Sequence, residues 1–143
     1  KALAKSGIEP KYLEIEVTES IFINDINEAT EKLKQLREIG VRIAVDDFGT
    51  GYSSLSYIRN LPIDKLKIDR SFIMDIPYCD DGSIANVIIR LARSLGMRVN
   101  AEGVETREQE SFLEENKCDE AQGFLYSKPI PAEAFGQRLK GMY

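Results

Sequence analysis

The chain has 143 residues, of which 43% are hydrophobic and 30% are charged, and its net charge is −5. This composition is typical of one soluble globular domain, and the acidic balance disfavours a partner such as DNA, RNA or an anionic membrane. The sequence contains no apolar run of about 18 residues, so we predict no membrane contact from this segment.

Five runs of strand-forming residues alternate with helical patterns. The predicted strands cover residues 12–18, 41–47, 65–69, 97–103 and 119–127. Apolar spacing with a following glycine predicts helices over 25–39 and 83–95, and a Thr106/Gln109 capping box starts a helix that runs to about Asn116. Further helices are predicted over 53–60 and from about Ala132. This alternation favours βα units in a parallel sheet.

The beginning of the chain resembles the end of a helix, with Gly7 in the position that follows a helix terminus. A complete (β/α)₈ barrel needs about 250 residues. We therefore expect an α/β fold of about five βα units with a mostly parallel sheet, a partial (β/α)₈ (TIM-type) barrel that forms a piece of a larger fold. Open strand edges and exposed apolar interior residues would then favour association with another copy or with the missing N-terminal half.

Polar residues collect in and just after the predicted strands. They are Glu14, Glu16, Glu19, Asp46, Asp47, Lys67, Asp69, Glu102, Glu105 and Gln122. Adjacent carboxylates such as Asp46 and Asp47 repel each other, so a cation is expected beside them. Several converging carboxylates suit Mg²⁺ or Mn²⁺, and a pair of such ions about 3.5–4 Å apart activates water against a phosphodiester. Solvated residues and structural ion pairs are the alternative explanation.

Histidine is absent from the sequence, so a general base has to be Asp, Glu, Lys, Tyr or Cys, and a metal has to be held mainly by oxygen. The two cysteines, Cys79 and Cys118, lack the spacing of a metal site. They are interpreted as reduced thiols, which predicts a cytoplasmic protein.

Four runs carry a resemblance to a known family. "LEIEVTES", "VDDFGTGYSSLSYIRNLPIDKLKIDRSFI", "AEGVET" and "AQGFLYSKP" occur in the order and spacing of the EAL domain family of bacterial cyclic di-GMP phosphodiesterases. The resemblance covers the chain from Gly7 to about Pro131, and residues 1–143 are interpreted as the C-terminal portion of one EAL-type barrel domain. It implies a modified (β/α)₈ barrel that hydrolyses cyclic di-GMP to linear pGpG with two Mg²⁺ or Mn²⁺ ions.

The resemblance also implies roles for individual residues. Asp46 would bridge the two metal ions, Asp47 and Glu16 would each bind a metal, and Glu102 would be a metal ligand and a general base. Lys67 would lie near the attacking water and the scissile phosphate. Gln122 would support the attacking water and the metals, and Glu105 would lie in the second layer of residues around the metals. Glu19 would anchor the "DFGTGYSS" loop.

The sequence departs from the family pattern at its beginning. The Glu-Ala-Leu signature, an asparagine ligand and the first three barrel strands are missing, so the chain alone is expected to be inactive while its parent protein is catalytic. A non-catalytic cyclic di-GMP receptor is the alternative, although every family site position that is present has the residue of an active member. GGDEF or sensory domains are expected in the parent, which could itself be anchored to a membrane through other domains.

Overall fold

The computed structural model describes residues 2–50, 58–76 and 84–141. Its centre is a five-stranded sheet in which every adjacent pair of strands is parallel and the strand order follows the sequence. The strands are β1 (Glu14–Thr18), β2 (Arg42–Phe48), β3 (Lys65–Ile68), β4 (Arg98–Ala101) and β5 (Glu120–Ala121). This order is that of successive βα units in a barrel, and it confirms the predicted α/β class.

Seven helices accompany these strands in the described part of the chain. They are α1 (Ala2–Ser6), α2 (Ile21–Asn24), α3 (Ile26–Ile39), α4 (Arg70–Met74), α5 (Ile84–Ser94), α6 (Arg107–Glu115) and α7 (Ala132–Lys140), with a 3₁₀ turn at Pro10–Tyr12. None of the described helices is both long and apolar enough to cross a lipid bilayer.

Local side-chain chemistry explains where the predicted helices begin and end. The Asp25 side chain accepts hydrogen bonds from the first backbone N–H groups of α3, and Gly40 ends that helix in the left-handed conformation at φ +95°. Thr106 and Gln109 form the predicted reciprocal capping box of α6. Of the short helix predicted over 53–60, residues 53–57 lie outside the described residues.

The prediction of a fifth strand over 119–127 is wrong in its length, because β5 covers only Glu120 and Ala121. After Gln122 the chain turns tightly against the segment that follows β4. A side chain at Gly123 would place its Cβ 2.1 Å from the Val104 carbonyl oxygen, and the Leu125 N–H donates to that same oxygen at 3.0 Å. The apolar and aromatic residues after Gly123 therefore form a turn, although their composition is typical of a strand.

The apolar face of the sheet packs against the helices. Alternate strand residues supply this face because successive side chains point to opposite sides of a strand. They are fully or almost fully buried, and include Ile43, Val45, Leu66, Ile68, Val99 and Ala101. Helices contribute Leu33, Ile73, Ile88 and Ile89 to the same cluster.

The opposite face, here called the polar face, carries Glu14, Glu16, Asp46, Lys65, Lys67, Asn100 and Glu120. The prediction of exposed apolar interior residues is therefore wrong for this face. Lys65 and Lys67 are both buried, and each contacts carboxylates from other strands of the sheet. Burial of an ammonium group without such partners would be unfavourable, so the sheet arranges its inner charges in compensating sets.

Candidate active site

A β-bulge brings the two adjacent aspartates to one side of β2. Val45 pairs with Leu66 and Phe48 pairs with Ile68, so Asp46 and Asp47 together oppose the single residue Lys67. Neighbouring residues in a regular strand point to opposite faces, but Asp47 adopts φ +53° and reverses that alternation. The bulge is the local structure that allows both carboxylates to face the same space.

A third carboxylate, that of Glu102 immediately after β4, joins this pair. One oxygen from each of Asp46, Asp47 and Glu102 lies within 4.8 Å of the others, a spacing that allows all three to bind one cation. These three residues are here called the carboxylate trio. Strand order explains their meeting, because the carboxyl ends of the parallel strands β2, β3 and β4 lie side by side.

Lys67 lies at the base of the carboxylate trio. Its Nζ is 2.7 Å from Glu102 Oε1, 2.9 Å from Asp46 Oδ1 and 2.8 Å from Glu16 Oε1 on β1. Burial disfavours the charged ammonium, but the hydrogen bonds of its carboxylate partners outweigh burial and raise the pKa of Lys67 above its usual value. Lys67 therefore remains a cation across the physiological range, and it holds Glu16 beside the trio.

The trio is not fully compensated by Lys67. Asp46 Oδ1 is buried and lies 2.9 Å from Lys67 Nζ, an ammonium that it shares with Glu16 and Glu102. Desolvation and then the charges of Asp46 and Asp69 raise the pKa of Asp47. One ammonium shared by three carboxylates, together with the repulsion of Asp47 by Asp46 and Asp69, indicates excess negative charge at this point. Oxygen donors of this kind suit a hard divalent cation.

Two further predicted residues support the trio from outside. Gln122 donates from Nε2 to Glu102 Oε1 at 2.7 Å, so Glu102 receives hydrogen bonds from both Gln122 and Lys67 on one oxygen. Glu19 is buried, and its Oε2 accepts the backbone N–H of Gly49 at 3.2 Å. This contact fixes the chain two residues beyond Asp47, at the start of the predicted loop.

Glu105 lies away from the trio and forms an ion pair with Arg70, with Nη2 and Oε1 2.8 Å apart. Both residues line a cavity of about 580 Å³ that also reaches Glu102 and Gln122 and continues along α7. The remaining wall is largely apolar, with Phe124, Tyr126, Pro129, Ile130, Phe135 and Leu139. A charged end and an apolar wall suit a ligand with both a phosphate and a ring system.

Sequence reasoning assigned no role to three residues that the structure places near the site. Arg70 lies in the cavity wall, Asp69 acts on Asp47 through its charge, and Asn100 is buried beside Gln122. Asp69 caps α4 by accepting from Ser71, and this contact lowers the Asp69 pKa. The available signal for Asp69 was its position at the end of β3, and for Arg70 it was its place in the quoted run "KLKIDRSFI", whereas Asn100 lies just outside the quoted runs.

A parallel α/β sheet with successive βα units defines a TIM-barrel-like protein, and the converging carboxylates lie at the carboxyl ends of its strands, where sites of that fold usually occur. Residues 1–129 match the family model described as "EAL domain". The chain belongs to the EAL domain family.

Several curated proteins and solved structures are similar to this chain. Cyclic di-GMP phosphodiesterase NbdA of Pseudomonas aeruginosa is 50% identical over 140 residues, which are 97% of this chain and 18% of that protein. The structure of the PaMucR phosphodiesterase in complex with c-di-GMP has a TM-score of 0.88 at 46% identity and covers 94% of this chain and 55% of that one. The Klebsiella pneumoniae BlrP1 complex with manganese and cyclic di-GMP has a TM-score of 0.81 at 37% identity, covering 90% and 33%. The chain thus spans only part of the proteins that it matches.

Proposed function

We propose that this chain forms part of a phosphodiesterase site that hydrolyses cyclic di-GMP to linear pGpG, within one EAL-type barrel domain of its parent protein. The observation that carries the proposal is the carboxylate trio, gathered by a β-bulge over a buried lysine. Membership of the EAL domain family and the printed activity of NbdA support the choice of substrate.

We propose Glu16, Asp46, Asp47 and Glu102 as ligands for Mg²⁺ or Mn²⁺, with two ions in the complete site. The purely carboxylate donor set, whose negative charge exceeds the positive charge of Lys67 beside it, fits such ions. A bound divalent cation supplies Lewis-acid chemistry, which offsets phosphate charge and makes water easier to deprotonate.

The chain's own residues would divide the reaction between them. Glu102 accepts a proton from the attacking water, whose oxygen bonds to phosphorus while the bond to the ribose 3′ oxygen breaks. The leaving 3′ oxygen takes up a proton from solvent water, and Glu102 later returns its own proton to solvent. Lys67 stabilises the negative charge that develops on the phosphoryl oxygens and keeps Glu102 in place. Gln122 orients the same carboxylate, and Glu19 fixes the loop that follows Asp47.

The cavity beside Glu102 offers room for the rest of the dinucleotide. Arg70 and Lys128 place positive charge in its wall, and the aromatic rings of Phe124 and Phe135 provide flat apolar surface. We propose that Glu105 supports this region by holding Arg70 rather than by binding a metal, since its carboxylate pairs with that guanidinium.

The test compares Asp46→Asn with Glu14→Gln in the protein that carries this chain. Glu14 lies on the same polar face but contacts Lys65, below the site. Asp46→Asn is expected to lower pGpG release by more than about 100-fold and to weaken Mn²⁺ binding in calorimetry, because a neutral amide compensates cations poorly. Glu14→Gln is expected to retain both properties.

Two results would count against the proposal. Turnover by Asp46→Asn at the wild-type rate would remove Asp46 from the site. Tight binding of cyclic di-GMP by the wild-type protein without any pGpG release would instead favour the alternative function, a non-catalytic receptor.

A further inference from the structure

Asn100 is a buried amide on the polar face, two residues before Glu102. It is 6% exposed and stands opposite Lys67 in the register of β3 and β4. Its Nδ2 lies 3.4 Å from Gln122 Oε1, and its Oδ1 is buried without a hydrogen-bond partner in the described ranges. Its side chain is thus oriented with Nδ2 toward Gln122, through one long hydrogen bond.

The hydrogen bonds run in one direction that Glu102 determines. An ionised carboxylate only accepts, so Gln122 has to turn its NH₂ group toward Glu102, where Nε2 donates at 2.7 Å. The Gln122 oxygen then faces Asn100, which has to present its own NH₂ group in return. An amide at position 100 is therefore matched to the orientation of Gln122.

We propose that Asn100 is a positioning residue that acts on Glu102 through Gln122. It touches neither substrate nor metal in this role. By donating to Gln122 Oε1, it keeps Gln122 Nε2 on Glu102 Oε1, the oxygen that also contacts Lys67. The catalytic consequence rests on the proposed phosphodiesterase function, whereas the hydrogen-bond relay itself does not.

Two substitutions separate the donor from the shape of the side chain. Asn100→Leu removes the donor and retains a side chain of similar size. Asn100→Asp retains the shape but offers only acceptors while ionised, so Gln122 has to turn its NH₂ group away from Glu102 to satisfy it. The control is Asn86→Asp on α5, where the native side-chain oxygen accepts from Arg90 Nε at 3.0 Å and an aspartate oxygen still can.

The first measurement is independent of activity. In NMR spectra of the protein that carries this chain, both Asn100 variants are expected to shift the side-chain amide signals of Gln122 and to speed their exchange with solvent. Asn86→Asp is expected to leave them in place. Unchanged Gln122 signals in folded Asn100→Leu would overturn the proposal, even in a protein without any phosphodiesterase activity.

The second measurement is kinetic. Asn100→Leu is expected to lower kcat for cyclic di-GMP by about tenfold with KM changed less than about twofold, the scale of one lost hydrogen bond. In a Gln122→Leu background the same change is expected to cost nothing further, because the intermediary is already gone. If the fold-losses in kcat of the two single variants multiplied in the double variant, Asn100 would act independently of Gln122 and the relay would be refuted. A wild-type protein without turnover would refute only the proposed function.

Discussion

Lys65 and Lys67 lie two residues apart on β3 and hold two separate sets of carboxylates. Lys65 Nζ contacts Glu14 at 2.8 Å and Glu120 at 2.7 Å, whereas Lys67 contacts the carboxylates at the carboxyl ends of the strands. Both side chains are more than nine-tenths buried. The polar face therefore has two charged layers, one of carboxylates around Lys65 and one of carboxylates around Lys67. Only the layer around Lys67 borders the carboxylate trio.

This duplication gives a matched pair of variants. Lys67→Met and Lys65→Met each remove a buried cation that several carboxylates share. Each is expected to lower the free energy of unfolding at pH 7 by about 3 kcal/mol, since the partners retain some contact with water and Glu120 also pairs with Arg98. Urea titration measures this loss. Below the unfolding transition, only Lys67→Met is expected to abolish pGpG release. Equal loss of activity in folded Lys65→Met would show that the two layers do not function separately.

Asp47 is held at a cost to stability. A residue other than glycine at φ +53° is strained by about 1 kcal/mol, and the charges of Asp46 and Asp69 add repulsion. Asp47→Gly is therefore expected to raise the free energy of unfolding by about 1 kcal/mol while activity falls.

The pH dependence of the Asp47 effect follows from its pKa, which is raised in the folded state. A raised carboxyl pKa means that ionisation of Asp47 destabilises the folded state. This loss of stability is absent below the unfolded-state pKa of about 3.9, grows as the pH rises, and is complete above the folded-state pKa. The advantage of Asp47→Gly should thus be larger at pH 7 than at pH 3.5 in urea titrations. Asp47→Asn should gain only the charge-dependent part. A glycine variant less stable than the wild type at pH 7 would contradict this account.

Gly123 and Gly136 predict opposite outcomes for the same substitution. A Cβ at Gly123 would meet the Val104 backbone oxygen at 2.1 Å, whereas nothing lies within 4 Å of a Cβ at Gly136 in α7. Gly123→Ala is expected to lower the melting temperature and shift the Gln122 amide signals. Gly136→Ala is expected to stabilise by up to about 1 kcal/mol through helix propensity. Calorimetry on both variants decides, and a neutral Gly123→Ala would mean that the turn relaxes freely.

Cys118 is expected to react slowly with alkylating reagents. Burial raises the pKa of its thiol to about 11, and its Sγ donates to the Glu120 carbonyl at 3.1 Å. At pH 8 the reactive thiolate is therefore about 100-fold scarcer than for an ordinary thiol. Mass spectrometry of the Cys118 peptide after iodoacetamide treatment measures this without interference from Cys79. Urea should accelerate the modification, while fast labelling of the folded protein would be inconsistent with the described burial.

The sequence predicts the parts of this fold that depend on short-range patterns. Helix boundaries at Gly40 and the Thr106/Gln109 box are set within a few residues, and the structure confirms them. The short helices α2 and α4 were missed because four and five residues carry too little periodicity. The end of β5 was missed because it depends on the approach of Gly123 to Val104, 19 residues earlier in the chain.

The candidate site, like the fold, was predictable only where it depends on short-range sequence patterns. Asp46, Asp47, Glu102 and Lys67 are candidates from the sequence because they lie in or just after the ends of predicted strands. The bulge was not predictable, since it arises from the pairing of Val45 and Phe48 with β3. The link from Asn100 to Gln122 likewise joins two strands and leaves no local pattern.

The two charged layers also bear on how the strands find their alignment during folding. If β1 slipped by one residue against β2, Glu14 and Glu16 would turn toward the apolar cluster around Ile43 and Val45, and Lys65 and Lys67 would lose partners. Such a misaligned sheet would bury unpaired charge on one side and expose isoleucine and valine on the other. The ion pairs that contribute little net stability in the native state therefore penalise every odd-numbered slip, and they make the native alignment the one that the folding chain retains.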